Sequence, residues 1–325
     1  MPLNERESCW VVSDGKAGME IQCLGLAEAL GLEPQVKRIV TRRPWRWLPP
    51  LLWHDPLRAI DRRQGDALDP PWPDLLIATG RQAVAPALAI RRASRRAGRA
   101  SFVVQIQNPA VDPKRFDLVV APAHDRLSGP NVVTTLGAMN RITPARLEAE
   151  ARAWGPRVAA LPRPYVGALV GGANKVYRLP PARARELGEQ LAAAAGAEGG
   201  SLLVTPSRRT RPAVLAALRA GIGDTPCLIW DGTGENPYFG FLGLADALVV
   251  TLDSVNMISE AASTGRPVLL AELPGGSAKF RRFHEAMLQA GYARPFAGRL
   301  ERWDYPRLDE TGRVAGLVRE RLKRR

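Results

Sequence analysis

Short, uninterrupted apolar runs recur along this chain, and most break into a polar loop that leads into a helical pattern. "SCWVVSD" passes through "GKAG" into "MEIQCLGLAEALG"; "PDLLIATG" passes into "RQAVAPALAIRRAS"; "SLLVTPS" passes into "RPAVLAALRAG". A strand that is apolar at every position must be covered on both faces. A helix between successive strands makes those strands parallel. The rhythm therefore predicts an α/β fold, with parallel sheets wrapped by helices.

The rhythm is interrupted once, by the charged and proline-rich stretch "RITPARLEAEARAWGPRVAALPRP". The chain has 325 residues, 46% of them hydrophobic, which is enough to fill a core on each side of that break. The boundary is placed near Leu161, giving an N-terminal domain over 1–160 and a C-terminal domain over 161–325. "EPQVKRIV", "ASFVVQIQNP", "FDLVVAPAHD" and "NVVTTLG" complete the strands of the first. "YVGALVGG", "PCLIWDG", "DALVVTLDS" and "PVLLAEL" belong to the second. Gly31 reads as a helix C-cap. Both domains are expected to be doubly wound and Rossmann-like, facing a central cleft. The last helix, "TGRVAGLVRERLKRR", is counted with the second domain and is free to pack back toward the first.

In open parallel sheets, ligands gather at the carboxyl ends of the strands. There the chain carries Asp14-Gly15-Lys16, Gly171-Gly172-Ala173-Asn174-Lys175, Ser207-Arg208-Arg209 and Asp253-Ser254. Glycines let backbone amides approach an anion, and helix N-termini attract one. An amine, a hydroxyl and two guanidiniums after neighbouring strands suit a diphosphate. Each loop alone reads equally well as an ordinary turn. "SDGKAG" lacks the spacing of a Walker loop, and no GxGxxG follows the first strand. The most informative stretch is "DALVVTLDSVNMISEAASTGRPVLL". A buried strand ends at Asp253, Ser254 can cap the helix that follows, and Glu260 sits among Ile258, Ala261 and Ala262. Glu260 is thus either a partly buried ligand group or a solvent-facing helical glutamate. Asp14 has two readings as well: a reacting carboxylate, or a cap for the first helix.

Taken together, "SDGKAG", "GGANK", "TPSRRT", "NPYFGFLGLAD" and "DSVNMISEA" resemble one family. It comprises the plant elongated-mitochondria fission proteins and their bacterial relatives, which carry the name of outer-core glycosyltransferases. The resemblance covers nearly the whole chain, and its second half is similar to the nucleotide-sugar domain of GT-B glycosyltransferases. It implies a donor site in which Glu260 binds ribose hydroxyls and Ser254, with the helix after it, meets the phosphates. Lys175, with Arg208 or Arg209, would neutralise the leaving diphosphate, and Gly171 and Gly172 would allow close approach. Asn174, Ser207, Asn236, Asp253 and Ser259 would complete the site. Asp14 would act as general base on an acceptor hydroxyl, with Lys16 orienting the acceptor. GT-B enzymes often place a histidine there; His54, His124 and His284 lie elsewhere in this sequence. A DxD metal motif is absent, so no metal and no other cofactor is expected beyond the nucleotide-sugar donor. The implied acceptor is a lipopolysaccharide-core-like or lipid-linked molecule of the cell envelope. Two alternatives stay open: a non-catalytic module of the fission type, and a sugar-nucleotide epimerase.

Charge bears on partners. The formal net charge is +14. "TRRPWRWLPPLLWHDPLR" interleaves Trp45, Trp47 and Trp53 with Arg42, Arg43, Arg46 and Arg58, a combination suited to an anionic membrane interface. Its other reading is a loop folded onto its own domain. No RNA-binding motif accompanies the charge, so no nucleic acid is expected. Cys9, Cys23 and Cys227 are too few and scattered for a disulfide framework or a zinc site. The opening "MPLNERESCW" has no leader-like apolar stretch. The expected location is cytoplasmic, peripheral on the inner face of the membrane.

Overall fold

The structure, a computed structural model, describes residues 7–324. Most of the opening segment read for a leader, Met1–Arg6, and the terminal Arg325 lie outside the described residues. The chain divides into two compact units, Met1–Arg141 with Asp309–Arg325, and Ile142–Leu308.

The first unit holds β1 (Cys9–Ser13), α1 (Ala17–Leu30), β2 (Gln35–Arg38), β3 (Leu75–Thr79), α2 (Arg81–Arg96), β4 (Phe102–Ile106), β5 (Leu118–Pro122) and β6 (Val132–Thr135). All six strands pair in parallel in the order β2-β1-β3-β4-β5-β6. Alternate residues serve opposite faces, as a strand demands. Val11, Leu75, Ile77 and Val104 pack with Leu26 and Leu30 of α1. Val12, Leu76, Ala78 and Val103 pack with Val84, Ala87 and Ile90 of α2. Gly31 ends α1 at φ 81°, satisfying carbonyls of the last turn as expected.

The second unit holds α3 (Pro144–Val158), β7 (Tyr165–Val170), α4 (Pro181–Ala197), β8 (Ser201–Pro206), α5 (Pro212–Ile222), β9 (Cys227–Ile229), α6 (Tyr238–Leu244), β10 (Ala247–Thr251), α7 (Val255–Ala262), β11 (Val268–Ala271), α8 (Ala278–Gln289) and β12 (Arg294–Pro295). Its strand order is β12-β11-β10-β7-β8-β9, again all parallel. The chain winds outward from β7 to β9, returns to β10, and winds outward the other way. Order therefore reverses between β7 and β10, and in the first unit between β1 and β3. Those are the crevices where doubly wound sheets bind ligands.

The boundary differs from the sequence reading. It falls at Arg141/Ile142 rather than near Leu161, because α3 packs on the second unit. Trp154 meets Phe241 edge-on with ring centroids 5.9 Å apart. A Cβ at Gly240 would lie 2.4 Å from the Trp154 ring, so that glycine makes the fit possible. The last helix, α9 (Glu310–Lys323), belongs to the first unit and not the second. Its Val314, Ala315 and Val318 join Leu26 and Leu30 in one apolar cluster. The Glu310 carboxylate accepts the Leu136 amide at 2.6 Å. The hydroxyl of Thr311 accepts the Asn140 amide and donates to the Asn140 carbonyl, each at 2.9 Å.

The tryptophan-rich segment also splits. Trp53 is buried and donates from Nε1 to the Leu48 carbonyl at 3.3 Å, and Trp45 packs beside it against Ala85. Trp47, Leu51 and Leu52 stay exposed, at 64%, 51% and 64%. Of the two readings of this segment, the loop folded onto its own domain holds for Trp45 and Trp53, and Trp47 is left facing outward.

Candidate functional site

The carboxyl end of the second sheet is organised around one carboxylate. Asp253 follows β10 by two residues, and its side chain has no exposure at all. It accepts from the Thr251 hydroxyl at 2.7 Å, the Gly172 amide at 3.1 Å and the Arg209 guanidinium at 2.6 Å. The Gly171 amide donates to the Thr251 hydroxyl at 2.7 Å. A Cβ at Gly171 would lie 2.0 Å from the Asp253 carboxylate, and one at Gly172 2.3 Å from the Arg209 carbonyl. The two glycines were expected to make room for a phosphate. Their immediate work is different: they let three loops close on each other around a buried acid.

Asn174 and Ser207 belong to the same framework. The Asn174 carboxamide accepts from the Val176 and Tyr177 amides, both at 2.8 Å, and donates to the Asp253 carbonyl at 3.1 Å. The Ser207 hydroxyl accepts the Arg209 amide at 3.2 Å, and Thr210 donates to the Gly171 carbonyl at 2.6 Å. Lys175 and Arg208 are exposed beside this framework, and the Arg209 side chain is 39% exposed. Ser254 caps α7, accepting the Met257 amide at 3.3 Å, and the first turn of that helix is half-buried at the same edge. A capped helix start, two unburied cations and a half-exposed guanidinium thus converge at the β7/β10 reversal.

Glu260 is buried, not solvent-facing. The Tyr238 hydroxyl donates to its Oε2 at 2.5 Å. Burial pushes the Glu260 carboxyl up to about 7, the Tyr238 hydrogen bond pulling the other way. Burial, reinforced by Glu260, holds the Tyr238 phenol well above its ordinary range. Tyr238 escaped the sequence reading because α6 was not expected as a helix. Its only signal was "NPYF", where the exposed Asn236 accepts the Tyr238 amide at 3.0 Å as α6 begins. Ser259 faces inward: it is fully buried and donates to the Val255 carbonyl at 2.7 Å, which removes it from the expected set of ligand contacts.

In the first unit, the Asp14 loop is held from below. The Ser13 hydroxyl donates to Glu20 at 2.9 Å, and Arg38 grips the same carboxylate at 2.7 and 3.0 Å. Arg38 first, and Ser13 with it, lowers the Glu20 carboxyl against the upward push of burial. Gly15 takes φ 77°, a turn for which glycine is the natural residue. The N-cap position of α1 is Lys16, and no side chain caps the helix. The capping reading of Asp14 is therefore excluded; its carboxylate pairs with the Lys16 ammonium instead. Asp14 and Lys16 line a hollow of about 270 Å³ together with Thr41, Arg46 and Gln82. Two larger hollows, about 330 and 510 Å³, adjoin the Gly265–Arg266 turn before β11. The first lies at the amino ends of β7 and β10, and neither borders the polar loops.

A family model described as mitochondrial fission ELM1 matches residues 17–322. Mitochondrial fission protein ELM1 of Arabidopsis thaliana is 35% identical over 280 residues, covering 78% of this chain and 65% of that protein. The chain thus spans just under two thirds of that relative's length. The uncharacterised protein RP120 of Rickettsia prowazekii is 24% identical over 358 residues, 97% of this chain and 98% of its own. Among solved structures, the UDP-GlcNAc 2-epimerase of Neisseria meningitidis bound to UDP-GlcNAc aligns with a TM-score of 0.50 at 13% identity, covering 98% and 99% of the two chains. A Listeria monocytogenes protein provisionally named UDP-N-acetylglucosamine 2-epimerase aligns at 0.54 and 12% identity, covering 97% and 88%. The pair of doubly wound sheets expected from the sequence is the GT-B-like fold.

Proposed function

The chain belongs to the mitochondrial fission ELM1 family, and from that premise we propose that its second unit binds the diphosphate of a nucleotide sugar and that the protein transfers the sugar. One observation carries this reading. The glycine-bearing loops, the start of α7 and the cations Lys175, Arg208 and Arg209 meet at the topological reversal of a doubly wound sheet. That is where such sheets take up phosphates. The fold shared with a structure bound to UDP-GlcNAc supports it further.

In the proposed step, an acceptor hydroxyl gives its proton to the Asp14 carboxylate as its oxygen bonds to the sugar anomeric carbon. The bond from that carbon to the diphosphate breaks, and its electron pair leaves with the nucleoside diphosphate. Lys175 and Arg208 meet the charge that develops there. Glu260 takes the ribose hydroxyls, sharing its carboxylate with Tyr238.

A thermal-shift screen of UDP-, GDP-, ADP- and CMP-sugars tests the donor site. If none raises the melting temperature, the reading fails. Glu260→Ala is expected to weaken nucleotide binding by about 1–3 kcal/mol, roughly 5- to 150-fold in Kd. Affinity should also track pH. The buried carboxyl holds its proton up to about 7, and ribose hydroxyls donate best to the ionised form. Binding therefore strengthens as pH rises through that value, and Glu260→Gln removes the dependence. The free protein shows the opposite sign. Its Glu260 holds a proton that the unfolded chain, with an ordinary value of 4.5, has released. Stability from this group is full below 4.5 and declines as pH climbs toward and past 7.

The epimerase reading rests on both solved structures reported above. Incubating the protein with UDP-GlcNAc separates the two: inversion at C2 without an acceptor favours the epimerase. Nucleotide binding with no turnover of either kind favours the fission-type module.

Attachment to anionic membranes is the remaining part of the proposal, on the cytoplasmic face. Exposed Trp47, Leu51 and Leu52 stand beside Arg42, Arg43 and Arg46. Among the described residues, no helix is long and apolar enough to cross a membrane. Sedimentation with anionic vesicles should fall at least ~10-fold for a Trp47/Leu51/Leu52→Ser triple variant, since each side chain forfeits about 1.5–3 kcal/mol of burial when fully inserted. Salt should weaken the wild type. Equal recovery on neutral and anionic vesicles would rule the attachment out.

A further inference from the structure

Of the buried polar atoms of the first unit that find no hydrogen-bond partner among the described residues, three are Asp14 Oδ1, Thr41 Oγ1 and Gln82 Oε1. All three residues line the same hollow of about 270 Å³. An unpaired buried oxygen is costly, and folded chains keep few of them. Three around one hollow point to something the hollow receives. Its position agrees. Asp14 follows β1 and Gln82 lies in the first turn of α2, so both stand at the β1/β3 reversal of the sheet. Thr41, only 9% exposed, is fixed by a backbone bridge to Ile60. Gln82 is oriented by its amide, which donates to the Arg46 carbonyl at 3.3 Å and leaves the oxygen over.

The lining specifies chemistry. Oxygens that need donors call for hydroxyl groups. Lys16 and Arg46, exposed at the same hollow, call for an anion. A charged polyol satisfies both, and the volume suits a single sugar-sized ring, below the usual range for larger ligands. We infer that this hollow is a binding site for a phosphorylated monosaccharide or cyclitol. Its hydroxyls meet Asp14, Thr41 and Gln82, and its phosphate meets Lys16 and Arg46. That the occupant is the acceptor of the transfer rests on the reading above; that it binds does not. The same chemistry is offered by a soluble sugar phosphate and by an inositol lipid headgroup.

The test is calorimetric titration of the full chain with glucose 1-phosphate, with glucose and inorganic phosphate as partial probes. Saturable binding in the millimolar range is expected for glucose 1-phosphate, with each partial probe roughly 10-fold weaker. Thr41→Val keeps the shape and removes the unpaired hydroxyl. It should cut glucose 1-phosphate binding roughly 5- to 10-fold while the melting temperature holds or rises. A structural hydroxyl would do the reverse, so a lower melting temperature with unchanged binding overturns the site. Absence of glucose 1-phosphate saturation in the wild type, joined by equal recovery on phosphatidylinositol and phosphatidylglycerol vesicles, overturns it too. A phosphatidylinositol preference that Thr41→Val abolishes assigns the site to the lipid headgroup; saturation by glucose 1-phosphate without that preference assigns it to a soluble ligand. UDP titrated into the same sample keeps the two proposals apart. UDP binding with an empty sugar-phosphate arm sinks only this inference, and the converse sinks only the donor site.

Discussion

Asp253→Ala is expected to lower the melting temperature of the second unit by roughly 10 °C. Breaking a buried, hydrogen-bonded ion pair costs ~3–5 kcal/mol, and a unit of this size loses about 2–4 °C per kcal/mol. The cost should fall at the lower end, because Arg209 is partly in water and can solvate itself. Most of it comes from what water does not reach: the Gly172 amide and the Thr251 hydroxyl lose their acceptor. Gly171→Ala should do comparable damage from the opposite side, since its Cβ would sit on the carboxylate. Arg209→Ala should be milder in melting. A calorimetric scan of the three variants gives the ranking. An Asp253→Ala protein that melts with the wild type would show that the loops do not depend on this acid.

Asp14→Asn is expected to reduce transfer ~10²- to 10⁴-fold, the loss usual for a missing general base. Melting temperature and nucleotide binding should stay where they are. Among the described residues Asp14 caps nothing and pairs only with the exposed Lys16, an ion pair of a kind worth little to stability. Asparagine keeps an oxygen for the hollow but cannot take the proton. Full transfer by a stable Asp14→Asn protein would move the base elsewhere.

Much of the architecture was legible from local pattern. Cys9–Ser13, Leu75–Thr79 and Ala247–Thr251 are apolar up to a closing Ser or Thr, and they became fully buried inner strands of parallel sheets. Gly31 and Ser254 announced a helix end and a helix start by chemistry that acts within a turn. What local pattern missed depends on packing. The helix Tyr238–Leu244 carries two glycines in seven residues, poor helix formers, and stands because Trp154 and the Leu147 carbonyl press into the space those glycines leave. With it went Tyr238, the partner of Glu260. The boundary near Leu161 was misplaced for the same reason, since the apolar stripe of α3 shows its partner only in three dimensions. The candidate site was legible as a set of loops, but not in its division of labour. Sequence assigns Gly171, Gly172, Asn174, Ser207 and Asp253 to a ligand; the structure finds them bonded or packed against each other, with Lys175 and Arg208 exposed beside them.

The return of α9 to the first unit has a consequence for how the protein is made. A ribosome delivers domains in order, and the earliest ordinarily folds first. Here the second unit, Ile142–Leu308, is one continuous stretch and has all its strands before Asp309–Arg325 is added. The first unit also has its strands by then, but it lacks its closing helix α9. Until those residues emerge, Leu26 and Leu30 lack Val314, Ala315 and Val318, and the Leu136 amide lacks Glu310. The half that is synthesised first is thus the half completed last. A stop codon at Asp309 would leave the first unit with an uncovered apolar face, open to chaperones and proteases.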